Sequence, residues 1–424
     1  MNLYQKIVQT TLFKITSLNS LSVVLKIAIG LISSKIAAVF IGPAGMALMG
    51  NLRNFLNSLE NISTLGFQNG IVKYTAENKK KEQELQKIIA SVFIILILVA
   101  LIMSVVLYGF ASFWDNKIFN TQTDYAIVFK ILALAFPWYA VSVFLLAILN
   151  GLSKFKKVIW VNIIGNIAAL LVIAFLIVQF KTMGALVAAA VSPSLLFFIT
   201  FYFIQQEIPF LQAVRLKFFD FQIIKKLLPY SVMALFSSVL GPVIFLLIRN
   251  KVISVIGIDQ AGFWETMLRI SSSYMLFVTT LLTVYFLPKL ASAQNNEQTK
   301  AIFWQYYKFI LPVFCAGVVM IYFARFIIIQ ILFTKAFLPV SGLFFWQLLG
   351  DVFKVCSLIL GYQFFAKKMT KAFIVTEVLS LLFLYFLSIY LIDFFGIQGV
   401  VIAQTIDNLV YLIVLGLYFR KSLF

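Results

Sequence analysis

Residues 50–70 read GNLRNFLNSLENISTLGFQNG, a stretch with Arg53, Glu60 and five asparagines. It sits in a chain of 424 residues that is 62% hydrophobic and 12% charged, with a mean hydropathy of +1.02. Whether the stretch is a wet loop or a membrane helix with a polar face decides the topology. The composition sets the frame: no water-soluble domain covers so much apolar surface, so the bilayer is the solvent. The formal charge of +19 does not point to nucleic acid, because the basic residues lie in short tracts between apolar runs. Cys315 and Cys356 fall inside apolar runs and read as core thiols. The N-terminal segment has no compact apolar region followed by a small-residue cleavage site, so the first helix reads as a retained insertion signal.

A membrane span needs about 20 mostly apolar residues. Clear candidates are 88–113, 125–150, 158–180, 182–204, 229–256, 305–333, 340–366, 372–394 and 396–419, and less clean ones are 15–41, 44–71 and 260–287. With all twelve counted, the Lys and Arg residues outside the spans fall in the termini and even-numbered connections, except Lys117, Lys181 and Lys335. By the positive-inside rule both termini are then cytoplasmic. Removing 44–71 would put ENKKKEQELQK (77–87) outside and break the pattern. The opening stretch is therefore expected to cross the membrane, polar residues included.

The odd connections are short, as in IGPAG (41–45) and FKTMG (180–184), which predicts helical hairpins. IGPAGMALMGNLR (41–53) echoes IGIDQAGFWETMLR (256–269), and KTMGALVAAA (181–190) resembles FGIQGVVIAQ (395–404). Both matches lie six spans apart. The expected fold is all-α and polytopic, with 12 transmembrane helices in two parallel six-helix lobes, 1–215 and 216–424, around a central cavity. Pro137, Pro193, Pro242 and Pro312 lie inside spans, either as kinks for motion or as static bends.

Several spans carry polar stripes. Arg53, Asn57 and Glu60 recur at i, i+4 and i+7, with Gly50, Asn54 and Asn61 close to the same side. Lys26 is near the middle of a stripe with Asn19, Ser22, Gly30 and Ser33, while Arg249, Glu265 and Arg269 mark spans seven and eight. Gln347, Asp351 and Lys354 repeat the pattern on span ten, and Gln404, Asp407, Asn408 and Tyr411 on span twelve. A cation or carboxylate in a span faces a cavity or a partner. Glu265 with Arg269 (i, i+4) and Asp351 with Lys354 (i, i+3) have the spacing of ion pairs, and Lys35, Lys251 and Arg325 sit near span ends where they can snorkel. Lys26 and Arg53 have no evident carboxylate one turn away on their own helices, and they are the leading candidates to line a substrate cavity. Cations within the spans outnumber the carboxylates Glu60, Glu265, Asp351, Glu377 and Asp407, which predicts an anionic ligand.

An enzyme is not expected. The chain has no histidine, no Gly-rich phosphate loop, no DxD or HExxH pattern and no long extracytoplasmic connection to shape an acceptor site, so no metal or cofactor is expected either. Buried charges in a duplicated bundle fit alternating access better than a pore.

Residues 34–77, SKIAAVFIGPAGMALMGNLRNFLNSLENISTLGFQNGIVKYTAE, resemble the start of Wzx-type O-antigen and enterobacterial common antigen flippases. The shared features are a GPAG hairpin, an N-[LF]-R element and a G-x-x-[NG]-G-[IV]-x-K-Y close. The resemblance covers about 60 residues and implies the multidrug/oligosaccharidyl-lipid/polysaccharide exporter superfamily. It implies that an undecaprenyl-diphosphate-linked glycan is turned from the cytoplasmic to the periplasmic leaflet of the bacterial inner membrane, alongside a glycan polymerase and a chain-length regulator. Lys26 and Arg53, with Asn57, would then bind substrate on the first two spans, and Arg249 and Arg269 on the equivalent spans of the second lobe. Arg269 is one residue out of register with Arg53. Glu60, Asp351 and Asp407 are candidates for coupling or for ion pairing. The alternative is a cation-coupled multidrug extruder of the same fold, for which an acidic, aromatic-lined cavity is expected.

Overall fold

The computed structural model describes residues 11–423. It is helical from end to end: α1 (Thr11–Ser63), α2 (Gln68–Asn78), α3 (Glu82–Gly109), α4 (Ala111–Ile118), α5 (Ala126–Gly151), α6 (Phe155–Gln205), α7 (Phe210–Ala213), α8 (Phe221–Ile256) and α9 (Ile258–Leu281). A π-helical segment, Leu282–Phe286, leads into α10 (Leu287–Ser292) and α11 (Asn296–Leu332). A 3-10 segment, Lys335–Leu343, then opens α12 (Phe344–Ala366), followed by α13 (Thr370–Phe395), α14 (Ile397–Tyr418) and α15 (Arg420–Leu423). Among the described residues, ten helices are long and apolar enough to cross a membrane. The protein is a multi-pass membrane protein.

Two of those ten are too long for one crossing. α1 is broken at Gly42 (φ 61°, ψ −167°) and α6 at Lys181 (φ 49°, ψ −126°). The connections expected at 41–45 and 180–184 are thus single-residue corners. In the second half the matching corners are Gly257 (φ 97°) and Gly396 (φ 56°, ψ −136°). Gly257 follows Gly42, and Gly396 follows Lys181, at the same interval of 215 residues. Packing beside the later corner repeats too. A Cβ on Gly184 would lie 1.9 Å from the Leu176 carbonyl oxygen, and one on Gly399 would lie 2.2 Å from that of Leu391. Only glycine lets the returning helix approach so closely.

The opening stretch is helical as far as Ser63. It then turns through Leu65 (φ 50°) and Gly66 (φ 66°), and α2 begins at Gln68, so the expected span 44–71 is interrupted. The Thr64 hydroxyl donates to the Glu60 carbonyl at 3.2 Å beside the Thr64 backbone N–H at 3.3 Å, and the next bonds, Leu65 N–H to Ile62 and Gly66 N–H to Asn61 (both 3.0 Å), leave the i−4 ladder.

The chain divides into two compact units. The first comprises Met1–Ile36 and Asn51–Pro242, the second Ala37–Gly50 and Val243–Phe424. In the first unit α5 is the central helix, with Phe129, Phe136 and Phe144 fully buried. The buried Asn51 amide donates to the Ile118 carbonyl at 2.6 Å at the end of α4. After α6, Glu207 bridges Lys154 (2.6 Å) and Lys157 (2.7 Å). Burial pushes its carboxyl up, but the bonds from the two lysines outweigh that and hold it below the usual carboxylate range.

In the second unit, a core of Leu282, Phe286, Phe303, Tyr306, Ile359 and Phe364 ties the π-helical segment to α11 and α12. Val313, Phe323, Ile327 and Ile331 on α11 are more than half exposed, the surface a lipid-facing helix presents. Pro137 and Pro312 sit inside α5 and α11, and Pro193 inside the limb of α6 that follows its Lys181 corner.

Candidate functional site

In the first unit α1 presents Arg53, Asn57 and Glu60 on one side, as the helical repeat dictates. Arg53 and Glu60 are half-buried and Asn57 is exposed. The Glu60 carboxylate accepts a hydrogen bond from the Tyr139 hydroxyl at 2.8 Å. Tyr139, on α5, is itself buried, so this bond orders a carboxylate at the edge of the core. Lys26, on α1 before the Gly42 corner, is exposed. This side of α1 sets a guanidinium, an amide and a carboxylate in a row, the carboxylate also accepting from a neutral hydroxyl.

The second unit arranges its charges differently. Arg249 on α8 donates from Nη2 to Oε2 of Glu265 at 2.7 Å, and Arg269 donates from Nε to Oε1 of the same residue at 2.9 Å. Arg249 and Glu265 are fully buried, and the Arg269 side chain is 16% exposed. The Arg249 guanidinium also lies 5.1 Å from the Trp264 ring centroid, and that ring stacks on Phe245. Against this cluster sits Gly50: a Cβ there would come within 2.4 Å of Glu265 Oε2 and 2.9 Å of Arg249 Cζ. Residues 37–50 thus pack on α9 without side-chain bulk at the contact. Nearby, a Cβ on Gly262 would meet the Pro43 carbonyl oxygen at 1.9 Å. Within the second unit, residues 43–50 of the first echoing segment thus meet the second, 256–269, through glycine.

Asp351 on α12 does not form the ion pair that its spacing from Lys354 suggested. It is fully buried and accepts from the hydroxyls of Ser271 (2.7 Å) and Tyr274 and from the Gln347 amide (3.1 Å). One turn on, the helix turns Lys354 away from these groups toward a cavity of about 280 Å³ shared with Glu377, Ser380, Asp407 and Tyr411. Ser380 donates to the Asp407 carboxylate at 2.9 and 3.0 Å. Two carboxylates and one ammonium make the lining net acidic if all are ionised, whereas the α1 face balances Arg53 against Glu60.

The structure therefore brings Arg53, Asn57 and Glu60 together, joins Arg249 to Arg269 through Glu265, and places Asp351 and Asp407 in separate polar sites. Tyr139, Trp264, Ser271 and Tyr274 escaped the sequence reading because a single hydroxyl or indole in an apolar run looks like interface or core. Among the described residues, no group of three or more His, Cys, Asp or Glu side chains is placed to hold a metal ion.

Comparison with known proteins gives this geometry its context. The family described as polysaccharide biosynthesis protein matches residues 12–294, about two thirds of the chain. The chain belongs to that family. Its α1 polar face, its Arg249–Glu265–Arg269 cluster and both corners Gly42 and Gly257 lie within the family match. The "Lipid III flippase" of Escherichia coli (strain K12) is 27% identical over 393 residues, 92% of this chain and 94% of the relative, and so is that of Shigella flexneri. Among solved structures, an inward-facing multidrug resistance MATE family transporter of the MOP superfamily aligns with a TM-score of 0.80 at 13% identity, covering 94% of each chain. The lipid II flippase MurJ in an inward closed conformation aligns with a TM-score of 0.69 at 18% identity, covering 96% of this chain and 87% of that one. This member of the polysaccharide biosynthesis family therefore has the fold of those transporters.

Proposed function

We propose that the protein is a flippase that turns an undecaprenyl-diphosphate-linked oligosaccharide, an O-antigen or related surface-glycan repeat unit, from the cytoplasmic to the periplasmic leaflet. It works in the bacterial inner membrane by alternating access of two six-helix lobes, 1–215 and 216–424. The twelve crossings follow if α1 and α6 each cross twice at their corners, and the positive-inside pattern then puts both termini in the cytoplasm. It performs no covalent chemistry of its own, and it supplies a polymerase and chain-length regulator with substrate.

The observation that carries this reading is the polar face of α1, which keeps Arg53, Asn57 and Glu60 on one side of a membrane helix in a family member that is 27% identical to a lipid III flippase. A diphosphate leaving water needs several charge-assisted contacts, which Arg53 and Lys26 supply as planar fork and point charge. Arg249 and Arg269 contribute positive potential from the second lobe, since their cluster holds two cations against one carboxylate. Glu60, Asp351 and Asp407 remain the candidates for coupling. The reading as a cation-coupled drug extruder has less support, because the family match is to polysaccharide biosynthesis.

The test is flipping of a polyprenyl-diphosphate glycan by purified protein in liposomes without ATP, scored per unit of folded protein. Arg53→Ala is expected to lose flipping by at least about tenfold, the loss of one or more charge-assisted contacts, while remaining folded. Arg53→Lys keeps part of the activity. An Arg53→Ala/Glu60→Ala double variant that regains both abundance and flipping would assign Arg53 to an ion pair and remove its ligand role.

A further inference from the structure

A second cavity, of about 650 Å³, lies in the second unit where three helix ends meet. Its walls come from the α10–α11 connection, the α12–α13 connection and the residues around α15. Three cations line it, Lys367, Arg420 and Lys421, and no Asp or Glu is among its lining residues. All three contributing segments belong to the basic, even-numbered side of the topology. The site lies at the membrane–water boundary, since each wall is the end of an apolar helix.

The cavity is built rather than a chance gathering of surface lysines. Lys367 donates to the Ala293 carbonyl, and the Ser422 hydroxyl bonds Asn296 Oδ1 at 2.8 Å, which pins the residues around α15 to the start of α11. Asn295 caps α11 by accepting from the Gln298 amide at 2.9 Å. Gln363 also lines the cavity. It is 95% buried, being 5% exposed, and its Oε1 accepts no hydrogen bond. A buried acceptor without a donor carries a desolvation cost that a ligand hydroxyl would remove. Leu417, Tyr418 and Met369 add an apolar and aromatic wall of the kind found at headgroup depth.

A ligand that satisfies all three features has a phosphate for the cations, a hydroxyl donor for Gln363 and an apolar portion for the wall. We propose that this cavity holds the headgroup of an anionic glycerophospholipid, with phosphate at Lys367, Arg420 and Lys421 and a headgroup hydroxyl donating to Gln363 Oε1. Basic pockets between transmembrane helices on the cytoplasmic side bind anionic headgroups in this manner. The site is separate from the α1 polar face, so it stands whatever substrate that face takes.

The test uses full-length protein in neutral detergent, with lipid binding followed by native mass spectrometry and by the rise in melting temperature. The probes are phosphatidylglycerol, phosphatidic acid (phosphate without a headgroup hydroxyl), phosphatidylcholine and inorganic phosphate. Phosphatidylglycerol is expected to bind best, phosphatidic acid more weakly, and the other two to have little effect. Arg420→Gln/Lys421→Gln is the variant to read, because Lys367 also holds the backbone. Each cation near an anionic headgroup is worth about fivefold in affinity, so the double variant should bind phosphatidylglycerol on the order of twentyfold more weakly. Gln363→Leu should fold normally and bring phosphatidylglycerol down to the level of phosphatidic acid. Unchanged phosphatidylglycerol binding in the double variant overturns the site. An equal response to inorganic phosphate overturns the lipid as its source, and an equal response to phosphatidylcholine overturns the role of negative charge.

Discussion

The two units handle intramembrane charge in opposite ways. In the second, Glu265 gives one oxygen to each of two guanidiniums, and the whole arrangement is closed off by Trp264 and Gly50. In the first, Glu60 is held by the neutral Tyr139 hydroxyl, while Arg53 stays half-buried and Lys26 exposed. A charge sealed among partners acts mainly through stability. One that keeps an accessible face can act on a ligand, because the water on that face can still be exchanged for it.

The largest effect expected from breaking this contrast is that of Glu265→Ala. It removes the carboxylate that two guanidiniums share, one of them fully buried, and should cost about 3–5 kcal/mol. The readout is folded abundance and the melting temperature in detergent. Stability within error of wild type would mean that the cluster is not what seals the second unit. Gly50→Ala asks whether the seal depends on close approach. The added methyl would displace the far ends of Glu265 and Arg249, at a cost of about 1–3 kcal/mol, and the loss should shrink in a Glu265→Ala background because the two closest clashing atoms are gone. Full additivity of the two losses would show that Gly50 and the cluster act independently. The smallest effect is expected at the first unit's pair: Tyr139→Phe removes one hydroxyl and should cost about 1 kcal/mol, the scale of hydrogen bonds between membrane helices. A loss as large as that of Glu265→Ala would erase the distinction between the units.

Much of this was legible in sequence for identifiable reasons. Apolar runs of span length and the i, i+4, i+7 stripe of Arg53, Asn57 and Glu60 follow from helix geometry and the cost of charge in lipid. The i, i+4 spacing of Glu265 and Arg269 likewise announced a pair that is present at 2.9 Å. Arg249 joining that pair was not legible, since its partner is sixteen residues away on the next helix. Asp351 shows the limit most plainly: its spacing suggested Lys354, but its partners Ser271 and Tyr274 lie on another helix, 80 and 77 residues away in sequence.

Sequence alone determined that this chain lives in a membrane, that its polar residues share helix faces, and that its halves echo each other at the corners, because all three rest on local periodicity and on the hydrophobic effect. Tertiary structure decided which polar residues meet. It showed Lys181 adopting the positive-φ conformation that glycine takes at the equivalent corner 396, which residue type alone would not suggest. It also grouped Ala37–Gly50 with the second unit, an allegiance that chain order hides. The physical reason is the same each time: contacts between helices depend on how far each can approach its neighbour, and a glycine opposite a carbonyl or a carboxylate sets that distance only once both helices are in place.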